Sequence, residues 1–145
     1  MNARILIVDD EQANVMLLEA YLADSNTELR SVTDSRLVEQ EFNDFEPDIV
    51  LLDLRMPHPD GLEILQRLRS ARLSLGYLPV IVLTADTSTV ARNSALLLGA
   101  DDFLTKPLDP DEVVLRVRNL LRTRELYVEL AQANEALKRR ITQPD

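Results

Sequence analysis

Apolar and polar positions along this chain fall into two alternating rhythms. Four short runs rich in Ile, Val and Leu each close on a reactive polar side chain. They are Arg4-Ile-Leu-Ile-Val-Asp9-Asp10, Asp48-Ile-Val-Leu-Leu-Asp53, Leu78-Pro-Val-Ile-Val-Leu-Thr84 and Asp102-Phe-Leu-Thr-Lys106. Runs of this length and composition read as strands buried on both faces. Thr27 to Thr33 is less apolar and fits a strand nearer a sheet edge. Between the runs, apolar residues recur at helical spacing: Val15, Leu18 and Leu22; Leu37, Val38, Phe42 and Phe45 behind a cap at Asp34; Leu62, Leu65 and Leu68 behind an Asp60–Glu63 capping box. Ser74-Leu-Gly76 interrupts the pattern, and Asp86 or Thr87 is expected to cap a helix running to Gly99. Strand and helix alternate throughout. That pattern predicts an α/β domain, with a five-stranded parallel sheet covered by helices on both faces.

The last helix opens with an N-cap, a first-position proline and an N3 carboxylate in one tetrapeptide, Asp109-Pro110-Asp111-Glu112. No Gly or Pro follows until Pro144, so the helix is expected to exceed thirty residues. It outruns what the sheet needs. From Leu120 onward it shows a partial heptad, with Leu120, Tyr127, Asn134 and Ile141 on one seam position and Thr123, Leu130 and Leu137 on the other. Such spacing suits a two-stranded coil, and an asparagine on the seam can fix register. The reading is a core domain over residues 1–122 and a helical, dimer-forming extension over 123–145, with Tyr127, Leu130, Asn134, Leu137 and Ile141 on the seam.

In an open α/β sheet, ligands bind outside the carboxyl ends of the strands. Asp9, Asp10, Asp53, Thr84 and Lys106 would therefore meet on one edge. Adjacent carboxylates repel, and a hard cation such as Mg²⁺ (or Mn²⁺ in its place) relieves that repulsion. Asp53 could supply a third oxygen while exposing its other one for attack. Lys106 offers a compact charge for a phosphoryl oxygen, Thr84 a hydroxyl donor, and Ala85 room beside it. Pro107 permits a cis Lys106–Pro107 bond that would turn the lysine inward. The simpler alternative is that these acids cap helices and solvate a sheet edge.

Composition narrows the field. The 145 residues include no cysteine, which excludes disulfides and cysteine-based metal sites. No apolar run approaches a membrane span or a signal-peptide core, so a cytoplasmic protein is expected. The net charge of −9 is uneven: residues 1–109 carry 9 Lys/Arg against 19 Asp/Glu, and residues 110–145 carry 7 against 6. The acidic body argues against direct nucleic-acid binding. Arg116, Arg118, Arg122 and Arg124 read as a solvated helix face.

Taken with their order and spacing, Val8-Asp-Asp-Glu11, Leu52-Asp-Leu-Arg-Met-Pro57, Asp60-Gly61, Leu83-Thr-Ala85 and Lys106-Pro107 resemble the receiver domain of two-component response regulators over residues 4 to about 122. The resemblance implies a flavodoxin-like fold with strand order 2-1-3-4-5. It implies that Asp53 accepts a phosphoryl group from a sensor histidine kinase or phosphotransfer protein. By the same resemblance Asp10, Asp53 and the Arg55 backbone carbonyl ligate Mg²⁺, with Asp9 helping through water. Lys106 would hold a phosphoryl oxygen, Thr84 would move to bond another, and Phe103 would swing inward behind Thr84. Phe103 stands where tyrosine is common in the family, so its switching would act by packing alone. Arg55 and Asp86 lie two residues after Asp53 and Thr84, and are expected to pair across the site and slow loss of the phosphoryl group; the bland alternative is two exposed charges. His58, the only histidine, fits a surface role.

In such proteins a long last helix commonly joins an output domain, including domains that make or break cyclic dinucleotides. The tail Thr142-Gln-Pro-Asp145 is read as the cut end of a longer regulator. Other functions fit less well. An aspartyl-nucleophile phosphohydrolase usually needs a general acid near the nucleophile, often an aspartate two residues on, where Arg55 stands. A dinucleotide-binding domain lacks its Gly-x-Gly-x-x-Gly, since only Gly61, Gly76 and Gly99 are present. An unphosphorylated receiver-like interaction module would be expected to have lost an acid or the lysine.

Overall fold

The computed structural model describes residues 2–70, 77–85 and 88–142. Its sheet is built from β1 (Ala3–Val8), β2 (Thr27–Val32), β3 (Ile49–Asp53), β4 (Val80–Thr84) and β5 (Asp102–Thr105) in the order β2-β1-β3-β4-β5. All four pairings are parallel, with Val8 beside Leu52, Asp53 beside Leu83 and Thr84 beside Thr105. This is the flavodoxin-like order. The less apolar β2 takes an edge, where one flank of a strand meets solvent.

Successive strand residues point to opposite faces, and the sequence fills both. Leu6, Val8, Val50, Leu52, Val80 and Val82 face α2 (Val38–Phe45), α3 (Gly61–Ser70) and α4 (Thr89–Leu97), where Phe42, Phe45, Ile64, Leu65, Leu68 and Ala95 complete one core. Ile5, Ile7, Ile49, Leu51, Ile81 and Leu83 face α1 (Gln12–Leu22) and α5 (Pro110–Thr142), meeting Val15, Leu18, Leu22, Val113 and Val117. Every residue of β3 and β4 is buried. The apolar runs are continuous because both faces are covered.

Three helix starts differ from expectation in instructive ways. Asp34 accepts from the Arg36 amide at 3.0 Å, but the turn it opens is a 3₁₀ turn at Ser35–Leu37 that then passes into α2. Asp60 caps α3 through the Glu63 amide at 2.9 Å. The Glu63 carboxylate does not complete a reciprocal box; it lies 3.2 Å from His58 Nδ1 and 3.8 Å from Arg67. At α4 the cap is Ser88, whose extended backbone lets Oγ accept from the Ala91 amide at 3.2 Å. Three cap-competent side chains stand in a row there, and Asp86 and Thr87, expected to serve, lie outside the described residues, as do Ser74 to Gly76.

At the amino ends of the strands a polar clasp closes the sheet. The Arg69 guanidinium, at the end of α3, donates to the Leu78 carbonyl at 2.6 Å, to the Gly99 carbonyl and to Asp101 Oδ2 at 2.8 Å. Asp101 also accepts from the Val80 amide at 2.7 Å and from the Tyr77 hydroxyl at 3.3 Å. Gly99 has φ +99°, a left-handed turn that favours glycine.

Helix α5 runs for 33 residues. Asp109 caps it by accepting from the Asp111 amide at 2.9 Å. Arg116 ties it to β5 through Asp102 at 2.7 Å. Contact with the body continues beyond residue 122: Arg124 pairs with Asp48 at 3.1 Å, and the Tyr127 ring lies 5.3 Å from that of Tyr77. Tyr127, expected on a dimer seam, thus packs against its own domain. Past Val128 the helix is exposed, with Leu130, Leu137 and Ile141 more than half accessible. Among the described residues no helix is long and apolar enough to cross a membrane.

Candidate functional site

The carboxyl ends of β1, β3, β4 and β5 gather the polar residues that close the four apolar runs. Because each run ends at a similar height in a parallel sheet, their terminal side chains converge. Asp9, Asp10 and Asp53 each offer a carboxylate oxygen within 4.8 Å of the others. Asp9 is fully buried, Asp53 is 2% exposed and Thr84 is 4% exposed, whereas Asp10 faces solvent.

Lys106 bridges two of the three acids. Lys106 Nζ lies 3.1 Å from Asp9 Oδ2 and 3.4 Å from Asp53 Oδ1. Its amide donates to the Thr84 carbonyl at 2.9 Å, which binds the residue after β5 to the end of β4. The Lys106–Pro107 peptide is cis, as is His58–Pro59. Asp9 Oδ1 accepts from the Glu11 amide at 2.9 Å. Asp53 Oδ1 accepts from the Arg55 amide at 3.1 Å. Asp9 Oδ2 is buried and, despite its ion pair, has no well-aligned hydrogen-bond donor.

The electrostatics are unbalanced. Burial pushes the Asp53 carboxyl up from 3.8 to about 7; the Asp9 charge adds to the rise, while the Arg55 amide and Lys106 oppose it. Burial draws the Lys106 ammonium down, but Asp9 and Asp53 outweigh it and hold lysine above its ordinary value. Removing charged groups from water is costly unless opposite charge compensates them. A second positive charge would supply that compensation. The donor set, three carboxylates converging within 4.8 Å of one another, fits a hard divalent cation.

The surrounding residues frame a mouth. Asp10, Leu54, Arg55, Met56, Pro57 and Asp60 line a cavity of about 440 Å³ beside the acids. Ala85 is exposed at the rim, next to buried Thr84. Phe103 is half-buried against the core, with the Arg92 guanidinium 5.4 Å from its ring centre. Asp86, expected opposite Arg55, lies outside the described residues. His58 is on the surface. The seam residues of α5 are remote from this edge. Sequence reasoning did not single out Arg92 or the close approach of Gly61, since both depend on how the chain folds back on Phe103 and on Asp53–Leu54 after an intervening loop.

The comparisons with known proteins agree with this geometry. The model of the response regulator receiver domain matches residues 5–118. The chain is 36% identical over 126 residues to the alkaline phosphatase synthesis transcriptional regulatory protein PhoP of Bacillus subtilis, covering 87% of this chain and 51% of that protein. It is 40% identical over 141 residues to the response regulator PleD of Caulobacter vibrioides, covering 97% of this chain and 31% of that one. The solved structure of NtrX from Brucella abortus superposes with a TM-score of 0.82 at 30% identity, covering 92% of this chain and 30% of that one. The chain thus spans about half, or less, of the length of the curated relatives it matches. On the match over residues 5–118 and a fold shared with solved relatives, this chain belongs to the response regulator receiver domain family.

Proposed function

We propose that the chain is a phosphorylation-controlled switch in which Asp53 accepts a phosphoryl group from a phosphohistidine of a sensor kinase or phosphotransfer protein. One observation carries the reading: Asp53 is an almost fully buried carboxylate clustered with Asp9 and Asp10, with Lys106 3.4 Å from its Oδ1. An Asp53 oxygen attacks phosphorus, the P–N bond breaks, and imidazole leaves with the electron pair. The product is an acyl phosphate on Asp53. Asp10, Asp53 and the Arg55 carbonyl, with Asp9 beside them, would hold Mg²⁺ or Mn²⁺, which would supply neutralising charge to the transferring group. Lys106 holds one phosphoryl oxygen. Thr84 donates to another, and Phe103 follows into the space it leaves, biasing the β4–β5 edge.

Helix α5 starts four residues after Lys106 and carries the consequence away from the sheet. Leu130, Leu137 and Ile141, with Asn134 between them, form the seam with a second copy of the chain, and an output module attached to α5 would be driven by the same helix. The acidic body leaves direct nucleic-acid binding to such a module.

Incubation with a small acyl phosphate and Mg²⁺ tests the reading by intact mass. One phosphoryl adduct per chain that disappears in Asp53→Asn supports it. Multiple turnover of phosphoesters would favour a hydrolase, and no adduct would favour a purely interacting domain.

A further inference from the structure

Gly61, the first residue of α3, sits against the backbone of the phosphoacceptor strand. A Cβ built on it would lie 2.3 Å from the Asp53 carbonyl oxygen and 2.4 Å from Leu54 Cα. Ordinary contact begins near 3.4 Å, so any side chain there demands a shift of about 1 Å. The neighbours are backbone atoms, which cannot swing aside. The Gly61 amide also donates to the Leu54 carbonyl at 3.1 Å, closing the loop from Leu54 to Gly61 into a ring.

The other flank of this backbone is fixed. Leu54 donates to the Leu83 carbonyl at 3.2 Å, and Asp53 pairs with Leu83 in the sheet. Displacement by a side chain at position 61 therefore cannot relax into β4. It passes to the Asp53 carboxylate, whose Oδ1 is set by the Arg55 amide, and to the Arg55 carbonyl beyond it. We infer that Gly61 is a positioning residue: its missing side chain lets the α3 backbone pinch Asp53 and Leu54 into the register that the metal and the phosphoryl group require. The inference rests on Asp53 being the acceptor. It differs from a folding role for glycine, because it couples Gly61 to cation binding.

The coupling is reciprocal. If the pinch improves cation affinity, the cation must stabilise the pinch by the same factor. Gly99 provides the control, since it sits at the opposite end of the sheet, with φ +99° and a Cβ that would meet the Arg69 side chain at 2.8 Å. Gly61→Ala and Gly99→Ala are compared for melting temperature, Mg²⁺ affinity by titration calorimetry, and rate of adduct formation with acyl phosphate. Gly61→Ala is expected to weaken Mg²⁺ at least tenfold and slow labelling about 10- to 100-fold, while Gly99→Ala lowers the melting temperature and leaves both functions within about twofold. Functional losses that merely track the melting temperature in both variants would overturn the inference, as would wild-type Mg²⁺ affinity in Gly61→Ala. If that variant does not fold, amide exchange in the wild-type protein decides. Saturating Mg²⁺ is expected to slow exchange of the Gly61 amide beyond any slowing at Gly99, and equal effects at the two would contradict the coupling. A wild-type chain that takes no phosphoryl adduct would instead refute the acceptor role itself.

Discussion

The two ends of this sheet both hold charged groups away from water, and they do so in opposite ways. At the amino ends, charges match one to one: Arg69 with Asp101, Arg124 with Asp48. Asp101 spends its remaining capacity on the Val80 amide and the Tyr77 hydroxyl. At the carboxyl ends Asp9 and Asp53 share Lys106, while Asp10 joins the same acidic cluster. It is this charge count that separates the ends, since among the described residues Arg69 Nε and Arg124 Nε lack a hydrogen-bond partner just as Asp9 Oδ2 does. Balanced charge fastens elements together. Under-compensated charge is strain kept for a ligand, and perturbed groups gather where chemistry is done.

The comparison breaks first at the clasp. Arg69→Ala strands the Asp101 carboxylate and two carbonyls, and should cost about 2–4 kcal/mol in denaturant titration. Adduct formation at a temperature where the variant is folded should be unchanged.

At the other end, removing a charge should stabilise. Folding raises the Asp53 carboxyl from 3.8 to about 7, so its contribution to stability is full below about pH 4 and is lost as pH climbs through 7. Asp53→Asn does not titrate there. Its advantage over wild type should open between about pH 4 and 7, reach about 1–3 kcal/mol, and shrink when Mg²⁺ is added to both. Thermal melts across that range, with and without the metal, measure it.

Two smaller effects sharpen the contrast. Tyr127→Ala removes the ring contact with Tyr77 and should cost about 0.5–1.5 kcal/mol without altering Mg²⁺ affinity. Arg92→Ala uncovers Phe103, and an exposed cation–π contact of this kind is worth about 0.5 kcal/mol. Its signature is a changed Phe103 environment by NMR, with the melting temperature nearly constant.

What the sequence made legible follows from the same contrast. The carboxyl-end site was readable because continuous apolar runs fix strand ends, and a parallel sheet brings those ends together. Asp9, Asp10, Asp53, Thr84 and Lys106 needed only that rule. The clasp was not readable: Arg124 finds Asp48 and Tyr127 finds Tyr77 across long stretches of chain, so heptad spacing alone placed Tyr127 on an outer seam. Ser88 prevailed at the start of α4 because Asp86, Thr87 and Ser88 are all chemically able to cap, and only backbone conformation chooses. Gly61 entered the sequence reading only as part of the Asp60-Gly61 motif, whereas its tightest contacts are to the backbone of β3 and the residue after it.

The most direct test is to locate the phosphoryl group chemically. Protein labelled with acyl phosphate and Mg²⁺ is treated with borohydride, which reduces an acyl phosphate to the alcohol, and the digest is sequenced by tandem mass spectrometry. Reduction confined to position 53 is the expected result. Reduction at Asp9 or Asp10, or an adduct on His58 with none at Asp53, would contradict the assignment.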